Sequence, residues 1–457
     1  MGSRRILILG LGREGFVLAR YFASRGDSVT VTDSTSSEQF EETAAQLNGL
    51  GVRLALGENR ADLVADTDQF FVSPGVPESN EVYRAALARG LEIDSMTRLF
   101  FRLCPCRTVG ISGSSGKTTT TGLIGSILDQ AGFDVKVGGN IGEPMLRLLP
   151  DLRPSSIAVL ELSSFQLSLL RQSPHVAVVT NISPNHLDRH ETMDAYLEAK
   201  SHLVKHQSAG DTVIVNSEDP AVLALAGMSA AGQRSFGANA QWGATSRRAH
   251  LGLIEDGEFT PVIDAASVPL AGQHNQRNVL AAIATAAALG VEPVAMREGI
   301  RRYQPAPHRL ETIAIRDGVR YVDDSIATTP DRAATAIVAQ DRRPTLLIAG
   351  GRDKHLSWDD FARLAVERLR AIYLLGEAAP LIADAIETAH QEVRGTLDRE
   401  MVRRVASLDE AVELARRDAR PGDVVLLAPG CASYDMFTNF EERGHAFARA
   451  AEPSYAL

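Results

Sequence analysis

The sequence predicts an α/β protein built from three parallel-sheet domains in series, over residues 1–95, 96–305 and 306–457. Three observations predict it. Apolar runs of strand length alternate with helical patterns along almost the whole chain, as parallel strands joined by crossover helices require. Two glycine-rich turns, Gly10-x-Gly12-x-x-Gly15 and Gly113-Ser-Ser-Gly116-Lys117-Thr118, each follow such a run. The 457 residues, 44% of them hydrophobic, exceed what one ordinary core accommodates.

The first domain opens with a strand over Arg4–Leu9, the turn Gly10 to Gly15, an apolar-striped helix, and a second strand over Ser28–Thr32 that ends at Asp33. This is the dinucleotide-binding fingerprint of a Rossmann-like domain, with an acid about 20 residues on to take a ribose hydroxyl. Three readings compete for it: NAD, a nucleotide-sugar diphosphate, or a helix packed on a strand with no ligand. The strand Gln69–Ser73 runs into Pro74-Gly75-Val-Pro77, a loop at a sheet's carboxyl edge, and the unit closes near Asp94. The start, Met-Gly-Ser-Arg-Arg before Ile-Leu-Ile-Leu, is signal-like only until Gly10 breaks the apolar run. It reads as the first strand of a cytoplasmic protein, and no span approaches a membrane helix.

Cys104, Cys106 and Cys431 make no disulfide framework, and Cys-Pro-Cys lacks the partners of a zinc site, so these read as buried or linker thiols. A formal charge of −10 argues against general nucleic-acid binding.

The central domain begins with an apolar strand, the turn at 113–116 and a helix over Thr118–Ala131. Gly113 and Gly116 let backbone N–H groups curl around phosphate oxygens, Lys117 supplies a point charge, and Thr118 offers a hydroxyl to Mg2+ at a helix N-terminus. The usual pattern has Gly five residues before Gly116, where this chain has Ile111, so the match is to the shorter G-x-x-G-K-T form. The alternative is a plain Gly/Ser turn capping the helix. Glu161 stands at the end of a buried strand, where a P-loop enzyme keeps its Mg2+ carboxylate. The strand beginning at His175 exits into Asn181-Ile-Ser-Pro-Asn-His186-Leu-Asp188-Arg-His190, a loop rich in imidazoles and acids.

Beyond it a helix carries Lys200, and residues 209–264 read as short strands forming a small antiparallel layer. His274, Asn275 and Asn278 precede or open an Ala-rich helix over Val279–Leu289, where they bind a base or merely cap. Pro305-Ala-Pro-His308-Arg309 marks the next boundary. The third domain, again Rossmann-like, has strands over Arg320–Asp323, Thr345–Ala349, Ala371–Leu375 and Asp423–Ala428, with polar segments after three of them: Asp324 to Pro330, Gly350 to Lys354, and Pro429 to Phe440.

Taken together, Gly-Ser-Ser-Gly-Lys117-Thr, Glu161-Leu-Ser-Ser-Phe-Gln, Asn181 to His190, His274-Asn275, His308-Arg309 and Asp324-Ser resemble the Mur ligases. Ser-Pro-Gly-Val-Pro77 and Cys-Ala-Ser433 through Asn-Phe440-Glu-Glu-Arg-Gly are similar to the glutamate-adding branch of that family. The resemblance covers nearly the whole chain in order. It implies ATP-dependent ligation of glutamate to UDP-N-acetylmuramoyl-L-alanine through an acyl phosphate, by a cytoplasmic monomer that binds neither membrane nor nucleic acid.

The resemblance further implies ATP contacts from Gly113, Ser114, Ser115, Gly116, Lys117, Thr118 and Thr119, with Asn275 and Asn278 facing adenine and Arg309 and Asp324 clamping from the third domain. Thr118 and Glu161 serve one Mg2+; a second falls to Glu161, His186 and Lys200, the last as a carbamate. Gly12, Arg13, Glu14, Gly15, Asp33, Ser34, Gly75 and Asn140 take the UDP substrate. Thr328, Lys354, Ser433 and Phe440 place glutamate, and domain closure assembles the site.

The chain departs from the family at Ile326, where members often carry Lys. D-glutamate is the expected hand, with L-glutamate the alternative. A folylpolyglutamate synthase-like ligase should lack the first domain. An NAD-dependent oxidoreductase leaves Lys117 and Glu161 unexplained, and a nucleotide-hydrolysing switch leaves the Ser433 segment unexplained.

Overall fold

A computed structural model describes residues 3–36, 40–183, 190, 192–270, 272–304, 307–340, 343–354, 356–394 and 401–452. Among the described residues twenty strands form three sheets. The first holds β1 (Arg5–Leu9), β2 (Ser28–Asp33), β3 (Arg53–Leu56), β4 (Gln69–Val72) and β5 (Ile93–Asp94) in the order β3-β2-β1-β4-β5. All its pairings are parallel. Period-2 alternation sends Ile6 and Ile8 into one core with Phe22 and Phe71, and Leu7 and Leu9 into another with Phe70 and Tyr83. The strand order reverses at β1, so the loops after β1 and β4 bound a crevice, the usual ligand position in such sheets. The helix Arg13–Ala23 approaches β1 closely because position 15 is glycine: a Cβ there would lie 1.9 Å from the Gly10 carbonyl oxygen.

The second sheet holds β6 (Arg107–Ser112), β7 (Val135–Gly139), β8 (Ile157–Glu161), β9 (Val176–Val179), β10 (Thr212–Asn216), β11 (Gly232–Phe236), β12 (Gly243–Arg247), β13 (His250–Glu255) and β14 (Glu258–Asp264). Its order is β14-β13-β12-β11-β10-β9-β6-β8-β7. Pairing is parallel from β7 to β12 and antiparallel through β13 and β14. Over 209–264, where the sequence predicts a small antiparallel layer, β10, β11 and β12 instead continue the parallel sheet, and only the β12–β13 and β13–β14 pairings at its edge are antiparallel. β6, the strand feeding the phosphate loop, lies between β8 and β9, so its turn opens beside Glu161 and the Thr180–Asn181 exit. The Ala-rich helix starts at Gln273, earlier than expected, placing Asn275 and Asn278 within its first turns. Helix Pro293–Arg302 packs on helix Lys117–Gln130 through Gly299, where a Cβ would stand 2.4 Å from the Ile127 Cα.

The third sheet holds β15 (Glu311–Arg316), β16 (Val319–Asp323), β17 (Thr345–Gly350), β18 (Leu369–Leu375), β19 (Val402–Arg404) and β20 (Val424–Leu427), ordered β15-β16-β20-β17-β18-β19. Only β15 pairs antiparallel. β16, β20 and β17 are adjacent and parallel, which gathers the three polar loops after them at one edge.

Two compact units contain these sheets. One comprises Met1–Pro269 and Asn275–Tyr303, with the first two sheets; the other comprises Leu270–His274 and Gln304–Leu457, with the third. No helix among the described residues is long and apolar enough to cross a membrane.

Candidate active site

In the first unit a cavity of about 550 Å³ opens at the β1 switch point. Gly12, Arg13, Glu14, Asp33, Ser34, Gly75 and Asn140 line it. Gly15 does not: it is buried beneath the turn, where its role is close packing. The Asp33 carboxylate accepts the Leu11 N–H at 2.7 Å and the Thr35 N–H at 2.9 Å, so it shapes the turn as well as facing the cavity. Ser73 ties the opposite wall by donating to the Gly10 carbonyl at 2.8 Å.

Glu14 is the electrostatic anomaly of this cavity. Its Oε1 accepts from Gln166 Nε2 at 2.7 Å, while Oε2 is buried with no hydrogen-bond partner among the described residues. Burial raises the carboxyl pKa from 4.5 to about 7, against the opposing effect of the Gln166 hydrogen bond. Between those two values the folded chain binds more protons than the unfolded chain, so stability falls as pH rises through the window and levels off above about 7. Glu14→Gln, which cannot ionise, should therefore match the wild type near pH 4 and exceed its stability by up to ~3 kcal/mol at pH 8. Denaturant titrations at the two pH values check this, and a pH-independent difference would refute it.

The phosphate loop lies in the same unit. Gly116 has φ +78°, and a Cβ there would lie 2.4 Å from Asn278 Oδ1; at Gly113, φ +151°, it would lie 2.0 Å from Thr180 Oγ1. Neither position admits a side chain. The loop is held by Asn181, whose Oδ1 accepts the Ser115 N–H at 2.9 Å, and by Tyr196, whose hydroxyl meets Ser114 Oγ at 2.9 Å. Lys117 Nζ folds over the loop, donating to the carbonyls of Gly113 at 2.9 Å and Ser114 at 3.2 Å. Thr119 is buried in the first turn of the helix.

Glu161, 2% exposed, joins the loop to the cavity. Thr118 Oγ1 donates to its Oε2 at 2.8 Å, and Asn140 Nδ2 donates to its Oε1 at 2.7 Å. Thr118 and Glu161 present only oxygen, the donor type that Mg2+ selects, so the pair fits that ion. Lys200 is buried at the end of β6. Its Nζ donates to Ser112 Oγ at 3.2 Å and to the Gly113 carbonyl at 3.0 Å, and stands 4.7 Å from the Tyr196 ring centre. Burial, reinforced by repulsion from Lys117, pushes its pKa well below 10.5. His186 lies outside the described residues. Asn278 Nδ2 donates to Asn275 Oδ1 at 3.1 Å and its Oδ1 accepts from Thr120 at 3.4 Å, so these two buried amides brace the loop helix.

In the second unit, Lys354 and Thr328 meet: Nζ donates to Oγ1 at 3.1 Å, and burial lowers the Lys354 pKa. Asp324 accepts the Leu310 N–H at 3.0 Å; burial raises its pKa to about 7. Arg309, the residue before Leu310, is half-buried. Ser433 is buried, and Phe440 opens the helix Phe440–Ala451 while its carbonyl accepts from Ser325 Oγ at 2.8 Å. Ile326 is half-buried in the loop after β16.

Sequence reasoning gave no role to Arg443, although it stands in the segment after Phe440. Its guanidinium, 2% exposed, donates to Ser325 Oγ at 3.0 Å, to the Ser325 carbonyl at 2.9 Å and to the Cys431 carbonyl at 3.2 Å, clasping two of the gathered loops. It missed Tyr196 too, although Tyr196 lies four residues before Lys200 on one helix face, a spacing that pairs side chains.

Three family models match the chain in order: Mur ligase MurD-like N-terminal domain over 4–95, Mur ligase middle domain over 111–286, and Mur ligase glutamate ligase domain over 308–431. The UDP-N-acetylmuramoylalanine--D-glutamate ligase of Symbiobacterium thermophilum is 41% identical over 454 residues, covering 98% of each chain. The chain belongs to the Mur ligase family. A second Mur ligase, the enzyme of the same name from Pelotomaculum thermopropionicum, is 38% identical across 97% of this chain and 96% of its own. Among solved Mur ligases, UDP-N-acetylmuramate-alanine ligase MurC from Thermotoga maritima superimposes with a TM-score of 0.62 at 18% identity, covering 99% of this chain and 100% of its own. MurF from Acinetobacter baumannii gives 0.58 at 21% identity, covering 98% and 94%. At such identities the likeness concerns the fold.

Proposed function

We propose that this Mur ligase joins D-glutamate to UDP-N-acetylmuramoyl-L-alanine with hydrolysis of ATP to ADP and phosphate, as a cytoplasmic monomer in peptidoglycan precursor synthesis. The observation that carries the reading is the hydrogen-bonded run from Thr118 through Glu161 to Asn140, which connects the phosphate loop to the nucleotide-sized cavity. The relatives at 41% and 38% identity bear the name of that D-glutamate ligase, which favours the D hand over the L hand. The first-domain cavity disfavours a folylpolyglutamate synthase-like ligase, and the phosphate loop disfavours an NAD-dependent oxidoreductase.

A carboxylate is a poor electrophile, so the L-alanyl carboxylate first takes the ATP γ-phosphoryl group and becomes an acyl phosphate. Two anions meet in that step, and positive charge must neutralise both. Lys117 and the backbone N–H groups of Gly113 to Thr119 hold the phosphates. Thr118 and Glu161 would hold one Mg2+, and Glu161, His186 and carbamylated Lys200 a second. The ions, when bound, supply charge to the phosphate oxygens. The cavity lined by Gly12, Arg13, Asp33, Ser34 and Gly75 takes the uridine diphosphate, with Asn140 toward the sugar. Asn275 and Asn278 serve adenine, and Arg309 and Asp324 bind ATP. Lys354 pairs with the glutamate α-carboxylate, with Thr328, Ser433 and the Phe440 backbone as hydrogen-bonding partners. The glutamate amine then attacks the acyl carbon, and a tetrahedral intermediate expels phosphate.

Phosphate release in the presence of ATP and Mg2+ tests the reading. Release should require both UDP-N-acetylmuramoyl-L-alanine and D-glutamate. Release indifferent to the muramoyl substrate would sink it, and release with L-glutamate alone would reverse the hand.

A further inference from the structure

We propose that Cys104 and Cys106 form a redox-active dithiol, which a hydroperoxide converts into an intramolecular disulfide. The helix Met96–Leu103 ends at Cys104, Pro105 follows, and β6 begins at Arg107. The two sulfurs lie 3.6 Å apart across this short link. Residues two apart cannot separate their Cα atoms by more than about 7 Å, which is near the upper limit of disulfide geometry. Only the sulfurs need to close, to about 2.05 Å. Pro105 removes one backbone rotation from the ring that would form.

The pair is also chemically unequal, as a peroxide-reactive dithiol must be. Cys104 is partly exposed, whereas Cys106 is 6% exposed and packs in the core with Met145 and Leu148. The Cys106 thiol, hydrogen-bonded to the Cys104 sulfur, draws the Cys104 pKa down to about 7; the same neighbour and burial raise that of Cys106. Cys104 is thus the attacking thiolate and Cys106 the resolving thiol. Cys431 is a buried thiol of the other compact unit, its pKa raised to about 12 by burial, and serves as an internal control.

In the first step the Cys104 thiolate attacks a peroxide oxygen, forming an S–O bond as the O–O bond breaks, and the departing alkoxide takes a proton to leave as an alcohol. Sulfur is oxidised by two electrons and the peroxide is reduced. The Cys106 thiol then loses its proton and attacks the sulfenic sulfur; the S–S bond forms, the S–O bond breaks, and hydroxide leaves with that proton as water. Two thiols and one hydroperoxide give one disulfide, one alcohol and one water. With hydrogen peroxide the alcohol is a second water. The ring would stiffen the segment that connects the first sheet to the strand feeding the phosphate loop.

Trypsin cleaves after Arg102 and after Arg107, so residues 103–107 leave as one peptide with both thiols. The full-length chain is treated with hydrogen peroxide, quenched, alkylated in denaturant and digested. The expected peptide is lighter than its reduced form by two hydrogens and carries no alkyl group. Cys431 should remain alkylatable, and dithiothreitol should restore both thiols. In Cys106→Ser, Cys104 should accumulate as a sulfenic acid captured by dimedone. Two alkylated thiols after excess peroxide, or a sulfinic acid on Cys104 in place of the disulfide, would overturn the proposal.

Discussion

Lys117→Ala should lower kcat by about 10³-fold, with folding preserved. The magnitude follows from removing a preorganised donor at the point where transferring charge accumulates, an effect of about 2.7–4 kcal/mol per group. The ammonium is already anchored: it donates to the Gly113 and Ser114 carbonyls, so it is positioned before any phosphate arrives. Losing these two partly buried hydrogen bonds costs roughly 1 kcal/mol each. Relief of the repulsion between Lys117 and buried Lys200 acts in the opposite direction. The stability change is therefore small beside the catalytic one, and phosphate release measured together with denaturant unfolding separates them. A loss confined to KM would mean that Lys117 binds ground state and transition state alike, and near-normal turnover would refute the assigned role. Lys117→Arg should not rescue activity, because a planar fork does not replace a point charge between two carbonyls.

The phosphate loop was legible because its chemistry is local. A glycine with φ +78° at 116, a lysine beside it and a helix behind them are all written within six residues. The Glu161 position was legible for a similar reason, as a charged residue ending an apolar strand. Its partners were not: Asn140 is separated from it by 21 residues, and only the pairing of β7 with β8 brings the two together. Arg443 illustrates the harder case. The sequence shows it only as part of the Phe440 segment, and it becomes a clasp because β16 and β20 are adjacent. Gly15 shows the converse, a motif residue expected at the UDP substrate that instead packs against the Gly10 carbonyl, outside the cavity lining. β15 and β19 escaped sequence reading because β15 has little inside-outside alternation and β19 spans three residues. The edge strands β13 and β14 carried a clear alternating signal, but alternation says nothing about which sheet they extend.

Lys200→Ala should cost about 10²–10³-fold in kcat, and small carboxylates such as acetate should restore part of the loss. The expectation rests on Lys200 reacting with CO2. Only a neutral amine has the lone pair for that reaction, and the site favours one: Nζ belongs to a residue 3% exposed, and burial together with Lys117 drives its pKa well below 10.5. Carbamylation exchanges a cation repelled by Lys117 for an anion attracted to it. One N–H survives the reaction and can still donate to the Gly113 carbonyl, while the Ser112 hydroxyl is already committed to the Leu162 carbonyl. The modification therefore need not orphan a buried acceptor. With 13C-labelled bicarbonate, the wild-type chain should show a carbamate carbonyl resonance that Lys200→Ala lacks, a readout independent of turnover. Lys200→Met separates packing from chemistry, since it fills the same space without an amine. If Lys200→Met retained full activity, or if the resonance were absent from an active wild-type chain, Lys200 would be a buried amine that packs over Tyr196 and the metal-ligand role would pass to other oxygen donors.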